Sequence, residues 1–220
     1  MLTPDQIDAL MRVDSPTVAN AIETFDVRPR VAGYVGMDIR CQFPDLAPML
    51  GYAVTCTVDS TTEGREGIGF DALYELLAKS PKPAVVVMKD VGSNISHSCH
   101  AGEVMSTRMK SLGAVGILTD GGLRDVREVR QLGGFHYFCA GLVVSHGNPI
   151  CVSVGDDVEI SGMTVRMGDL LHGDANGVVH IPEEIAADVV SAAEEIWRVE
   201  GEVMRGFSAT WAAGAGEIVH

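Results

Sequence analysis

Residues 113–134 read GAVGILTDGGLRDVREVRQLGG. The apolar run 115–118 reads as a strand. It halts at Asp120-Gly121-Gly122, where Arg124 and Asp125 stand side by side. Val126, Val129 and Leu132 then recur at helical spacing. Strand, glycine turn and helix in this order make half of a β-α-β unit. Such a unit places its loop at the carboxyl end of a sheet strand, where ligands of open parallel sheets bind.

The flanks extend the pattern. AVVVMKD, 84–90, is a second continuous apolar run, followed by a polar loop, VGSNISHSCHAG. Met105, Met109 and Leu112 are spaced four and three apart, so 103–112 is a helix that Gly113 ends. Strands are expected at 135–139 and 142–144. The middle of the chain is therefore β-α-β-α-β, with parallel pairing and right-handed crossovers.

Towards the N-terminus, Thr3-Pro4-Asp5-Gln6 is a helix start: Thr3 as N-cap, Pro4 at the first helical position, Gln6 closing a capping box. Ser15-Pro16 is read as a second N-cap and helix start, with Val18, Ala19 and Ile22 as the apolar stripe. GYAVTCTVD, 51–59, alternates like a strand, and Phe70, Leu73, Leu76 and Leu77 mark another helix. Beyond residue 149, CVSV, VEISG, MTVRMGDLL and GVVHIP are short strands between Gly-Asp turns, forming a β layer over one side of the core. A long helix is expected from Glu183 to about Gly206, with Ile185, Val189, Ile196, Trp197 and Val203 on its apolar side. No linker or internal repeat divides the sequence, so 1–220 is read as one domain.

Composition narrows the function. Hydrophobic residues make up 46% of the 220 residues, aromatics only 5%, and 25 are glycine, which suits an α/β protein rich in tight turns. A net charge of -14 argues against nucleic acid or an anionic membrane as the main partner. No apolar run approaches a membrane span, and the N-terminus lacks the basic-then-apolar pattern of a signal peptide. Five scattered cysteines without a CxxC suggest a reducing, cytoplasmic setting.

Two strand ends carry the chemistry, the loops 90–102 and 119–125. Both run into helix N-termini, whose free N–H groups favour anions. The glycines 121 and 122 let backbone approach a ligand. Arg124 can fork onto a carboxylate, and Asp125 can hold a hard cation otherwise ligated by water or substrate. The plainer alternative is a solvated Arg–Asp pair with Asp125 capping helix 126–132. Glu103 is either ordinary first-turn dipole chemistry or a partner of metal-bound water. His97, Cys99 and His100 are too tightly spaced to meet on one tetrahedral zinc ion, and are read as the wall of a polar pocket. No P-loop, dinucleotide fingerprint or G-x-S-x-G elbow occurs.

HAGEVMSTRMKSLGAVGILTDGGLRDVREV, 100–129, resembles the signature region of the RraA-like family. The family includes class II 4-hydroxy-4-methyl-2-oxoglutarate and 4-carboxy-4-hydroxy-2-oxoadipate aldolases and a regulator of ribonuclease E. The matching elements are Gly102-Glu103-Val104-Met105, Gly113, Gly116, Asp120-Gly121 and Arg124-Asp125-Val126-Arg127-Glu128. GDLLHGDANGVVHIP, 168–182, is similar to a second family run. SPTVANAIE resembles the N-terminal helix, with Asn20 where Asp is usual.

The resemblance implies an α/β/β sandwich like the phosphohistidine swivelling domain, assembled as a homotrimer or homohexamer. It implies a divalent-metal-dependent lyase that cleaves a 2-keto-4-hydroxy acid to pyruvate, with oxaloacetate decarboxylation as side activity. Asp125 would ligate Mg²⁺ or Mn²⁺ directly, and Arg124 would bind the keto-acid end. The backbone of Gly102, Glu103, Val104 and Met105 would hold the carboxylate, and Glu103 would position metal-bound water. An acidic residue from a neighbouring subunit's C-terminal helix, Glu200 or next Glu202, would complete the site. If the loop SNISHSCH faces the metal, His97 or His100 is expected to touch the substrate beyond its pyruvate unit. The competing expectation is a protein-binding ribonuclease regulator without significant catalysis, acting through its acidic surface.

Overall fold

Val85, Val86, Val87 and Met88 have no exposed surface, as a strand covered on both faces requires. They lie in β3 (Ala84–Asp90), the middle of the main sheet. β3 pairs in parallel with β2 (Met49–Asp59) on one side and β5 (Ala114–Thr119) on the other. β5 pairs in parallel with β7 (His136–Cys139). The crossovers carry α3 (Phe70–Lys79), α4 (Glu103–Ser111) and α5 (Val126–Gln131). The β-α-β series read from the sequence is therefore present, with each boundary within two residues. The computed structural model describes residues 2–214.

Antiparallel strands complete the sheet: β1 (Arg40–Cys41) beside β7, then β12 (Leu170–Asp174) and β13 (Gly177–Ile181) beyond β2. β9 (Ile150–Val154) pairs with the other end of β2. Leu73 and Leu77 of α3, Met109 of α4 and Val129 of α5 are fully buried against one face. Each such side chain contributes roughly 1.5–3 kcal/mol through burial. On the other face, β10 (Val158–Ile160) and β11 (Met163–Val165) form a ribbon packed on Val85, Val87, Leu118 and Phe138. α1 (Pro4–Leu10), α2 (Ser15–Glu23) and α6 (Val189–Gly214) gather on β12 and β13, around Leu50, Leu170 and Ile181.

Three local expectations change. Thr3 caps α1 through the full capping box, but α2 is capped by Asp14, whose carboxylate accepts from Thr17 N–H at 2.9 Å. Ser15, buried, instead meets His172 Nδ1 at 2.9 Å. MTVRMGDLL is two strands, because the chain turns at Gly168 with φ of +89°. The last helix begins at Val189. Residues Glu183–Ile185 form a 3₁₀ turn, tightened by bonds from Ile185 N–H to Pro182 C=O and from Ala186 N–H to Glu183 C=O.

A second small sheet places the site. The segments after β3, β5 and β7 each contain one very short strand: β4 (Cys99–Ala101), β6 (Gly122–Leu123) and β8 (Gly141–Leu142). They pair in parallel, β4 to β6 to β8. Loops from three neighbouring strand ends are thereby bound together above the sheet.

Candidate active site

Asp120 closes the strand ends. Its Oδ1 accepts from Asp90 N–H at 2.8 Å, and its Oδ2 meets Lys89 Nζ at 2.5 Å. The two glycines after it serve packing. A β-carbon at Gly121 would stand 2.7 Å from the His100 ring and from Ser98 Oγ, and one at Gly122 would strike the Ser98 carbonyl. Gly121 and Gly122 thus admit β4 and its histidine, where the sequence suggested close approach of a ligand.

β6 delivers Arg124, whose N–H donates to the Ala101 carbonyl at 3.2 Å. Asp125 follows in the left-handed region, φ +58° and ψ +41°, which aspartate tolerates better than most side chains. It makes no side-chain cap to α5, its own helix. Its Oδ2 accepts from Glu103 N–H at 2.9 Å, the first residue of α4, and lies 3.5 Å from Arg124 Nε. The plainer alternative, Asp125 capping helix 126–132, does not hold: the left-handed turn aims its carboxylate at the neighbouring helix. Gly102 makes this possible, because a β-carbon there would collide with both Asp125 and Arg124.

At the start of α4 the N–H groups of Val104 and Met105 have no earlier helical turn to donate to. Both residues line a cleft of about 180 Å³, together with Gly102, Glu103, Arg124, Asp125, His146 and Pro149. Arg124 and Asp125 are each about one-third exposed, so both can meet solvent or a ligand. Cys99 also borders the cleft. Burial pushes its thiol pKa up against the opposing pull of Arg124, so Cys99 is no ready nucleophile. His146 and Pro149 carried no motif in the sequence. A larger cavity of about 400 Å³, beside Tyr52, Asp169 and His180, has no lysine or arginine in its wall and is a poorer site for a carboxylate.

The polar loop divides. His97 is exposed and its Nδ1 lies 3.1 Å from Asn94 Nδ2. His100 has no exposed surface; Nδ1 meets Thr119 Oγ1 at 2.7 Å and Nε2 meets Asp90 Oδ2 at 2.8 Å. Both ring nitrogens are engaged inside the protein. The expectation that the His100 side chain reaches substrate is thus corrected: the cleft meets this residue without an exposed side-chain atom. Glu103 and Val104 are exposed at the mouth. Glu200 and Glu202 are exposed on α6 and do not line the cleft of their own chain, and Glu202 is bonded to Arg198.

Among the described residues no three His, Cys, Asp or Glu side chains gather into a metal cage. The donors at the cleft suit a cation that keeps most of its water: Asp125 has one oxygen committed to Glu103 N–H, and exposed Glu103 stands beside it. Mg²⁺ commonly binds through one or two carboxylates with water and substrate filling its other positions.

The fold and site define a mixed α/β protein with an open helix start set against Arg124 and Asp125. The RraA-like family model, Aldolase/RraA, matches residues 14–180, and the chain belongs to that family. A Halalkalibacterium halodurans protein whose name gives it as a candidate 4-hydroxy-4-methyl-2-oxoglutarate aldolase is 29% identical over 125 residues, 56% of each chain. The match thus spans about half the length of that relative. Among solved structures, Streptomyces coelicolor RraAS2, described as an unusual member of the RNase ES inhibitor RraA protein family, superposes with a TM-score of 0.70 at 23% identity, covering 92% of this chain and 97% of that one. An uncharacterised Pseudomonas syringae protein gives 0.73 at 22%, covering 94% and 90%. At these identities the structures establish the shared fold alone.

Proposed function

We propose that the protein is a divalent-metal-dependent carbon–carbon lyase, cleaving a 2-keto-4-hydroxy acid by a class II retro-aldol reaction to give pyruvate, with oxaloacetate decarboxylation as a side activity. The observation that carries this reading is the Asp125 carboxylate at the start of α4, beside Arg124 and facing the cleft. Membership of the Aldolase/RraA family supports it.

In this reading the substrate carboxylate lies on the Val104 and Met105 N–H groups, at the positive end of α4. Asp125 would hold Mg²⁺ or Mn²⁺, with Glu103 acting through water, and the bound cation would supply Lewis-acid polarisation of the keto group. Water held at Glu103 takes the 4-hydroxyl proton. The C3–C4 bond breaks, its electron pair moves into the pyruvate enolate, and that water returns the proton to C3 to give pyruvate. Arg124 stabilises the negative charge as it develops, with a charged donor already in place. No lysine Schiff base is required. The subunits assemble as a homotrimer or homohexamer, in which Glu200 of a neighbour reaches the cleft. The layers, helices on one face and a β ribbon on the other, suit the α/β/β swivelling-domain architecture.

A second reading, a protein-binding regulator of ribonuclease activity, is favoured by the net charge of -14. Pyruvate release from oxaloacetate, measured with Mg²⁺ and then with excess chelator, separates the two. Chelator-sensitive release supports the lyase. Absence of release at any metal concentration leaves the regulator.

A further inference from the structure

We infer that His100 is a positioning residue for the cleft, holding the Arg124 wall and the α4 wall at a fixed separation from beneath. The inference rests on the lyase reading for its catalytic consequence, though not for its geometry.

Both ring nitrogens have a partner inside the protein. Asp90 Oδ2 can only accept, so the Nε2 proton of the neutral ring points to it at 2.8 Å, and Nδ1 faces Thr119 Oγ1, 2.7 Å away, which also accepts from Gly121 N–H at 3.0 Å. Nδ1 is then an acceptor. Asp90 is anchored in turn: Oδ1 accepts from Gly92 N–H at 3.0 Å, and its own N–H donates to Asp120 Oδ1. The ring therefore links the end of β3, the end of β5 and β4, with Gly121 close beside its Cε1 and Nε2.

Both cleft walls hang from these groups. β4 runs through Ala101 into Gly102 and α4; β6 runs from Gly122 through Leu123 into Arg124. The two strands pair over only a few residues, Cys99 with Gly122 and Ala101 with Leu123, and the register is irregular between them. So short a ladder fixes position poorly. A buried ring bonded at both ends supplies the missing constraint, and an imidazole suits the place because it accepts at one nitrogen while donating at the other.

In the lyase reading the Val104 and Met105 N–H groups grip the substrate carboxylate before reaction as well as during it, so a shift of the α4 wall should weaken binding more than turnover. The test compares His100→Ala, Thr119→Val and Thr119→Ser, the last of which keeps the hydroxyl. Oxaloacetate decarboxylation should show KM raised about ten-fold in the first two, kcat changed by less than about three-fold, and Thr119→Ser close to the parent. The backbone amide resonance of Glu103, whose proton is held by Asp125, should move in His100→Ala and Thr119→Val and stay in place in Thr119→Ser. This arm needs no catalysis. If the parent protein fails to decarboxylate oxaloacetate, the lyase reading falls while the Glu103 resonance still decides the positioning. An unmoved Glu103 resonance in both His100→Ala and Thr119→Val overturns the inference, as does an unchanged KM in an active protein. Thermal stability lowered without either change would leave His100 as core packing only.

Discussion

The Asp125 carboxylate, in α5's turn, caps α4: its Oδ2 accepts the Glu103 N–H at 2.9 Å across 22 residues of sequence. One side chain thus joins two loops at the mouth of the cleft. It has two separable duties, a hydrogen-bond acceptor for the protein and a negative charge for a cation.

Asparagine separates them. Asp125→Asn keeps an acceptor for Glu103 and a residue type that tolerates φ of +58°. It removes the charge. Stability should therefore fall by less than about 1 kcal/mol, within the range of neutral cap exchanges, while metal-dependent decarboxylation falls by a hundred-fold or more, roughly the loss expected of a main electrostatic contributor. Asp125→Ala should lose activity too, and in addition about 1–3 kcal/mol of stability from the missing cap and the strained backbone. Urea denaturation beside the oxaloacetate assay checks both. An Asp125→Asn variant with parental activity would return Asp125 to a purely structural role.

Gly102 is the second test. Its φ of -137° suits any residue, so alanine there brings no backbone strain. The added methyl would meet Asp125 and Arg124. Gly102→Ala should push those two side chains apart and reduce kcat/KM for oxaloacetate by at least about ten-fold, since small displacements of positioning groups cost that much or more. Far-ultraviolet circular dichroism should be unchanged. Full activity would show that the Arg124–Asp125 spacing has slack.

The parallel sheet was legible because long apolar runs such as 84–90 can only be buried on both faces, and the resemblance singled out Arg124 and Asp125. Other features lay beyond local pattern. β4, β6 and β8 have two or three residues each, too few for any periodicity. Asp125 looked like a cap for the helix it precedes. Only the left-handed turn sends its carboxylate elsewhere. His100 sits in a polar stretch, and its burial is decided by Asp90 and Thr119, 10 and 19 residues away. Ser15 before Pro16 read as a cap, but the buried His172 engages its hydroxyl and Asp14 caps α2 instead.

Acid stability should be governed in part by His136. Burial holds its pKa down, to about 4 against 6.5, with Arg130 adding to the fall and a bond to the Ala47 carbonyl opposing it. Because the folded value lies below the unfolded one, the unfolded chain takes up the proton first as pH drops. The contribution is complete above about pH 6.5 and is lost as pH falls towards 4, a change on the order of 3 kcal/mol. Buried His172 is shifted in the same direction. His136→Gln, which cannot titrate, should flatten the difference between urea unfolding at pH 7 and pH 4.5. An equally steep loss in that variant would assign the acid sensitivity to other groups.

The last prediction concerns completion of the cleft by a second chain. Glu200 lies on α6, a helix that packs on α1 and α2 around Val189 and Ala193. It does not line the cleft of its own subunit. Further along the same helix, Val203, Met204 and Phe207 are half to two-thirds exposed, an apolar surface of the kind that subunit contacts cover. Sedimentation at micromolar concentration should therefore give a mass of several chains. If Glu200 serves a neighbour's cleft, Glu200→Gln and Asp125→Asn should each be nearly inactive alone yet complement when mixed. After co-refolding at equal amounts, half the cleft-forming chains carry native Asp125 and half the facing neighbours carry native Glu200. With random assembly of a closed ring, about one quarter of the sites are then restored. Recovery to that level would place the two residues on different subunits of one site. Activity no greater than the average of the two separate variants would refute the shared site. Full activity of Glu200→Gln alone would exclude Glu200 and direct the same mixing experiment to Glu202.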